Sequence, residues 1–311
     1  MPLIDNLSVR MAVAFAVVAS LLTGCSDALF SIANVPTHFS SVRTQTDIAY
    51  GEQARQRLDI YAPPQAERLP VVIFWYGGAW TEGTKDNYRF VGTALAESGF
   101  VAVLPDYRLY PTASFPAFVE DGARAVAWVE RHAETFGGDH TRIVLMGHSA
   151  GAHEAAMLTL APKYLAAAGA TSANIVGLIG LSGPYVLEPD TEELRTIFSS
   201  PYERADWQPV RNAHSEAPPT LLLHGLEDQR VSPVQTRQFR DALAAHGVSV
   251  EMELYEGASH ADTIAAFSVF ERKRVPELER VIGSSRRGPL LARAPLRTGR
   301  ASWPRIRLKQ G

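Results

Sequence analysis

The chain has 311 residues, of which 46% are hydrophobic, and a formal net charge of −3. That size and apolar share suffice for a large core, and a single cysteine excludes any internal disulfide. The charge is unevenly placed. Eight basic residues (Arg286, Arg287, Arg293, Arg297, Arg300, Arg305, Arg307 and Lys309) and no acid lie from residue 284 onward, leaving 22 basic against 33 acidic residues in the rest. An acidic body of net −11 argues against nucleic acid as its partner. The tail, residues 284–311, lacks apolar periodicity and is predicted to be disordered, a solvated extension or a contact for anionic lipid head groups or nucleic acid.

At the N-terminus, residues 11–22 form a 12-residue apolar run after Arg10. It is too short to span a bilayer and suits the apolar region of a signal peptide. It ends in Leu22-Thr23-Gly24-Cys25, which resembles the bacterial lipobox. The resemblance implies a signal peptide over residues 1–24, lipid attachment at Cys25 and a tether over residues 25–45. The chain would then sit in the bacterial cell envelope, anchored to the membrane. Ser26, rather than Asp, leans towards the outer membrane facing the periplasm. An uncleaved anchor and ordinary secretion are the rival readings.

Residues 46–50 and 57–61 read as two strands joined by a turn at Tyr50-Gly51-Glu52. Pro63-Pro64 ends the second. Strands and helices then alternate: strand 71–75, helix 88–98, strand 100–104, helix 117–134, strand 142–146, helix 150–160 and strand 175–181. Such alternation predicts an α/β fold, a mostly parallel sheet with helices on both faces. Residues 184–219 break the rhythm and hold Tyr185, Phe198, Tyr202 and Trp207. They are expected to form a small cap, with these aromatics either lining a pocket or fixing the cap. Strands follow at 220–224 and 248–255, and a helix over 261–274. The folded domain is placed at residues 46–283.

Three segments carry chemistry. Gly147-His148-Ser149-Ala150-Gly151 sits between a strand and a helix, where a tight turn lifts a serine hydroxyl clear of the sheet. A serine needs a base, and the base an orienting acid, in the order Ser, acid, His for this architecture. Asp228 follows the strand ending in His224-Gly225, with Glu227 as its rival. His260 follows the last strand. Of the other histidines, His224 reads as packed in its strand, His246 as a helix C-terminal residue, and His148 as packing inside the turn; His153 and His214 carry no assignment. The third segment is a strand running into Tyr76-Gly77-Gly78-Ala79-Trp80. Gly78, Ala79 and Ala150 are the candidate N–H donors for an oxyanion. Asp106 reads as a structural hydrogen-bonding residue, and Trp80 and Tyr107 as core or substrate wall.

These segments together resemble the α/β-hydrolase superfamily, on the esterase and lipase branch with a His-Gly-Gly-x-Trp loop. Tyr76-Gly77-Gly78-Ala79-Trp80, Leu104-Pro105-Asp106-Tyr107-Arg108-Leu109, the Ser149 turn, His224-Gly225-Leu226-Glu227-Asp228 and Gly257-Ala258-Ser259-His260 carry the resemblance. It selects Asp228 over Glu227. Tyr76 departs from the usual histidine. The resemblance implies a serine esterase for small to medium esters, with Ser149, Asp228 and His260 as catalytic residues and neither cofactor nor metal. Alternatives are an arylformamidase-like amide hydrolase and a catalytically inactive envelope binding protein.

Overall fold

The computed structural model describes residues 29–268. The expected signal peptide, Cys25 and the basic tail lie outside them. Eight strands form one sheet: β1 (Arg43–Ala49), β2 (Arg57–Ala62), β3 (Leu69–Trp75), β4 (Val101–Pro105), β5 (Gly138–His148), β6 (Ile175–Leu181), β7 (Thr220–Gly225) and β8 (Val250–Tyr255). Their order is β1-β2-β4-β3-β5-β6-β7-β8. β1 and β2 pair antiparallel, as do β2 and β4, and all later pairings are parallel.

Composition explains this arrangement. β4, β6 and β7 are apolar runs whose residues are buried almost throughout, as strands covered on both faces must be. β1 is mostly exposed and stands at one edge; β8, half-buried along its length, stands at the other. The main covering helices are α1 (Arg89–Glu97), α2 (Ala117–His132), α3 (Ala150–Leu160) and α4 (Pro233–Ala245). Every residue of α3 is buried, which its alanine-rich sequence permits.

β5 begins at Gly138, earlier than its apolar run suggests. Gly138 and Asp139 pair with Leu69 and Pro70, and the register then shifts before Ile143 meets Val71. The intervening polar residues read as loop because an irregular pairing has no alternating signal. The expected tether also differs. Arg43–Ala49 is already β1, and Phe30, Ala33 and Val42 pack against the core. Asn34 Nδ2 donates to the carbonyls of Asp86 and Asn87, at 3.1 and 3.2 Å, and its Oδ1 accepts from Phe90 N–H at 2.9 Å. Residues 29–45 are therefore bound to the body.

Between β6 and β7 lie two short helices, α5 (Glu192–Ile197) and α6 (Arg204–Trp207). Phe198 and Trp207 are buried, as is Tyr185, which stacks on Phe239 at 4.4 Å. Phe198 meets Trp80 edge-on at 4.9 Å, and Tyr202 meets Phe115 at 5.2 Å. These aromatics fix the cap to the body. The His153 Nε2 to Trp207 carbonyl contact, 2.6 Å, adds a polar tie.

The chain passes from β3 to β4 on one side and then returns to β5 on the other. The C-terminal ends of β3 and β5 therefore flank the place where the winding reverses. Open α/β sheets bind ligands at such a point.

Candidate active site

Ser149 lies between the end of β5 and the start of α3 with φ 55° and ψ −123°. A non-glycine residue there is strained, and such strain persists only where the surroundings impose it. They do so here. Ser149 N–H donates to the Leu181 carbonyl at 2.9 Å. A Cβ on Gly147 would lie 2.1 Å from the Gly151 carbonyl oxygen, and one on Gly151 would lie 2.1 Å from the Trp75 carbonyl oxygen. Only glycine at both positions lets helix and strand approach closely enough to close the turn.

The acid and base sit on the two neighbouring loops. Asp228 follows β7 and is buried. Its Oδ1 accepts from Arg230 N–H at 2.8 Å and Val231 N–H at 2.9 Å. Its Oδ2 lies 2.7 Å from His260 Nδ1. Glu227 is exposed and takes no part in this pairing. Burial opposes the charge on Asp228, but hydrogen bonds from His224, His260 and Val231 outweigh it and hold the carboxyl well below its usual range. With Nδ1 donating to the carboxylate, His260 Nε2 is the acceptor nitrogen, the tautomer a general base needs.

His148 links this pair to the serine turn. Its Nε2 donates to the His260 carbonyl at 3.0 Å, and the two rings lie 4.8 Å apart. Burial, and then the neighbouring His260, push His148 down to about 3, so it stays neutral. Its packing role matches expectation. Among the described residues no hydrogen bond joins Ser149 Oγ to His260. In ligand-free sites such contacts are commonly loose and tighten on substrate.

His224 does more than pack. Its Nε2 lies 3.0 Å from Asp228 Oδ2 and 2.9 Å from the Val231 carbonyl, and its Nδ1 lies 2.6 Å from Thr236 Oγ1. Two acceptors at Nε2 assign the proton there, with Nδ1 accepting from the threonine hydroxyl. Asp228 thus receives two imidazoles on one oxygen. The four-residue spacing from His224 to Asp228, across a turn, was the available signal.

The loop after β3 carries three consecutive positive φ values: Gly78 at 135°, Ala79 at 49° and Trp80 at 62°. The Gly78 carbonyl accepts from the N–H groups of Thr81 and Glu82 at 2.9 and 3.0 Å. The N–H groups of Gly78 and Ala79 have no acceptor among the described residues, and that of Ala150, opening α3, lacks one by its position. A Cβ on Gly77 would lie 2.9 Å from Ser149 Cβ, so loop and turn touch.

Tyr76 braces this loop. Its hydroxyl donates to Asp106 Oδ1 at 2.8 Å and accepts from Arg55 Nη2 at 2.7 Å. Arg55 also donates to the carbonyls of Gly83 and Tyr107, each at 2.8 Å. Asp106 takes a further bond from Lys85 N–H at 2.8 Å, which is the structural role expected of it. The Tyr76 ring stacks between Tyr88 and Tyr107, at 5.6 and 4.9 Å. Tyr107 is therefore core. Burial, then Asp106, raise the Tyr76 hydroxyl well above its usual range, so it remains a donor.

Comparison with known proteins bears on the fold. The BD-FAE family model matches residues 58–185. An isoprenylcysteine alpha-carbonyl methylesterase of Arabidopsis thaliana is 36% identical over 249 residues, covering 73% of this chain and 58% of the relative. Esterase LipQ of Mycobacterium tuberculosis is 32% identical, over 76% of this chain and 62% of the relative. The chain thus spans about three fifths of the length of these curated relatives. Thermogutta terrifontis esterase 2, solved after phosphonylation by sarin, superposes with a TM-score of 0.67 at 24% identity, over 78% of this chain and 92% of that one. The chain has the α/β-hydrolase fold. In this hydrolase fold the loops after β3, β5, β7 and β8 meet at one sheet edge, and they hold every residue singled out for chemistry.

Proposed function

We propose that the chain is a serine carboxylic ester hydrolase acting on small to medium esters through an acyl-enzyme. One observation carries this reading: the strained Ser149 turn stands at the same sheet edge as the Asp228–His260 pair. The esterase names of the relatives support it.

In the proposed cycle His260 Nε2 takes the proton of Ser149 Oγ as that oxygen bonds to the ester carbonyl carbon. Asp228 holds the imidazole and stabilises the imidazolium. The carbonyl oxygen gains charge, which the N–H groups of Gly78, Ala79 and Ala150 receive. The C–O bond then breaks, and the alcohol leaves with the proton from His260. Water repeats the sequence on the acyl-enzyme, giving the acid and free Ser149. The short cap fits substrates of modest size. Lipid attached at Cys25 would hold the body at the bacterial envelope, in the outer membrane facing the periplasm.

Labelling with a fluorophosphonate tests the reaction class. The sarin adduct of the Thermogutta enzyme makes phosphonates an apt probe. Wild type is expected to label and Ser149→Ala not; equal labelling of both would overturn the reading. Faster turnover of an N-formyl aryl amide than of a matched p-nitrophenyl ester would move it to the amide hydrolases.

A further inference from the structure

The segment before β1 has two faces of different character. Residues 29–34 are helical and Val35–Phe39 continues as a 3-10 turn. The inner face packs: Phe30 meets the Tyr88 ring at 5.0 Å, and Ala33 lies against the core. Asn34 is fastened to Asp86, Asn87 and Phe90. The outer face holds Leu29, Ile32, Val35 and Phe39, exposed by 68%, 55%, 51% and 87%. Only Val234, elsewhere, joins them as an exposed large hydrophobic residue among the described residues. From residue 28 to 42 there is no Lys, Arg, Asp or Glu.

An outward helical face is normally polar. A contiguous apolar patch without charge marks an interaction surface, and this one suits the boundary between lipid head groups and acyl chains. What precedes it names the occupant. Leu29 follows Cys25 by four residues, and the apolar run 11–22 stands just before that. We propose that Leu29, Ile32, Val35 and Phe39 form a lipid-bilayer docking face. Because Asn34 is tied to the segment directly after the 76–84 loop, docking holds the loop side of the body at the lipid surface. The choice of lipid as occupant rests on the lipid-anchor reading of residues 11–25, and the orientation on the Asn34 bonds.

The test uses the full chain with Cys25→Ser, so acylation plays no part. An environment-sensitive nitrobenzoxadiazole dye is placed at Phe39→Cys, or at Ala245→Cys at the far end of α4, and the protein is mixed with phosphatidylethanolamine–phosphatidylglycerol vesicles. The retained apolar run 11–22 can itself deliver the chain to vesicles, so the dye, and not flotation, reports docking. At 39 the emission is expected to shift to the blue and to be quenched severalfold by lipids with nitroxides on their acyl chains; at 245 neither should change. Adding Ile32→Glu and Val35→Glu should return the dye at 39 to an aqueous spectrum. An aqueous spectrum at 39 in vesicle-bound protein would overturn the proposal. So would a blue shift without lipid quenching, which would mean that another part of the chain covers the face, and so would failure to float with vesicles. Fluorophosphonate labelling of the same samples reads the esterase proposal separately.

Discussion

His260 Nδ1 and Asp228 Oδ2 meet at 2.7 Å although the two residues are 32 positions apart and follow different strands. The contact fixes which imidazole nitrogen faces outward. Asp228→Asn should keep the loops in place but present an amide that no longer enforces the tautomer. An amide for carboxylate exchange at such a position costs about 10⁴-fold in kcat. Glu227→Gln, on the exposed neighbour, should leave kcat within about twofold, because a surface change away from the site has only a few tenths of a kcal/mol to offer. Steady-state ester hydrolysis by the two variants checks both; the reverse ranking would move the acid to Glu227.

His224 shares the same carboxylate oxygen at 3.0 Å. In the proposed cycle it touches no reacting atom and acts by positioning Asp228. His224→Phe removes the donor, leaving more of the carboxylate charge to attract a proton onto His260. The acidic limb of kcat/KM should move to higher pH, and kcat should fall about 10- to 100-fold, the worth of a hydrogen bond to a charged group. His224→Gln retains an N–H donor and should recover most of the activity and the original profile. A merely structural role would lower the melting temperature of both variants and leave the profile where it was.

Tyr76 spans Arg55 and Asp106 under the loop proposed to receive the oxyanion. Tyr76→Phe keeps the stacked ring and loses only the bridge. Leaving a buried carboxylate one donor short should cost about 1–3 kcal/mol of stability. If the loop shape depends on the bridge, kcat should fall while KM changes little, since oxyanion contacts form in the transition state. Thermal unfolding and Michaelis kinetics of the variant test this.

Glu154 offers a stability test apart from chemistry. It is fully buried on α3, and neither carboxyl oxygen has a partner among the described residues. Burial, and next the nearby Asp121, raise its pKa well above the ordinary range. The sign follows directly. A raised folded-state value means that its favourable contribution is complete below the unfolded value, about 4.3, and is lost as pH rises through the folded one. Glu154→Gln removes the titration. Its melting temperature should exceed that of wild type by more at pH 8 than at pH 5, with about 1–3 kcal/mol at stake at the higher pH. A difference independent of pH would show that Glu154 does not titrate in this window.

Much of this arrangement was legible in the sequence because buried parallel strands read as unbroken apolar runs. Ile175–Leu181 is found as expected, and so is Ala150–Leu160, since nothing competes with their local signals. Asp228 was separable from Glu227 only through the resemblance; the backbone turn that turns one inward and the other outward has no signature in composition. Tyr76 was visible as a residue but not as a partner, because Arg55 and Asp106 lie far from it in the chain; His224 stands only four positions before Asp228, but spacing across a turn does not say which way a side chain points. The first residues of β5 were lost to an irregular register. Residues 29–39 escaped notice as bound structure because what holds them is one asparagine side chain, an aromatic contact and the packing of Ala33.

The guanidinium of Arg55 has a practical consequence. The BD-FAE match begins at residue 58, three positions after it. A protein engineer who started the gene where the match starts would keep Ser149, Asp228 and His260 and discard the clamp on Gly83 and Tyr107. Such a trimmed chain would lack β1 as well, opening β2 as a raw sheet margin prone to sticking to its own copies. The working unit of this fold therefore starts upstream of its recognisable signature.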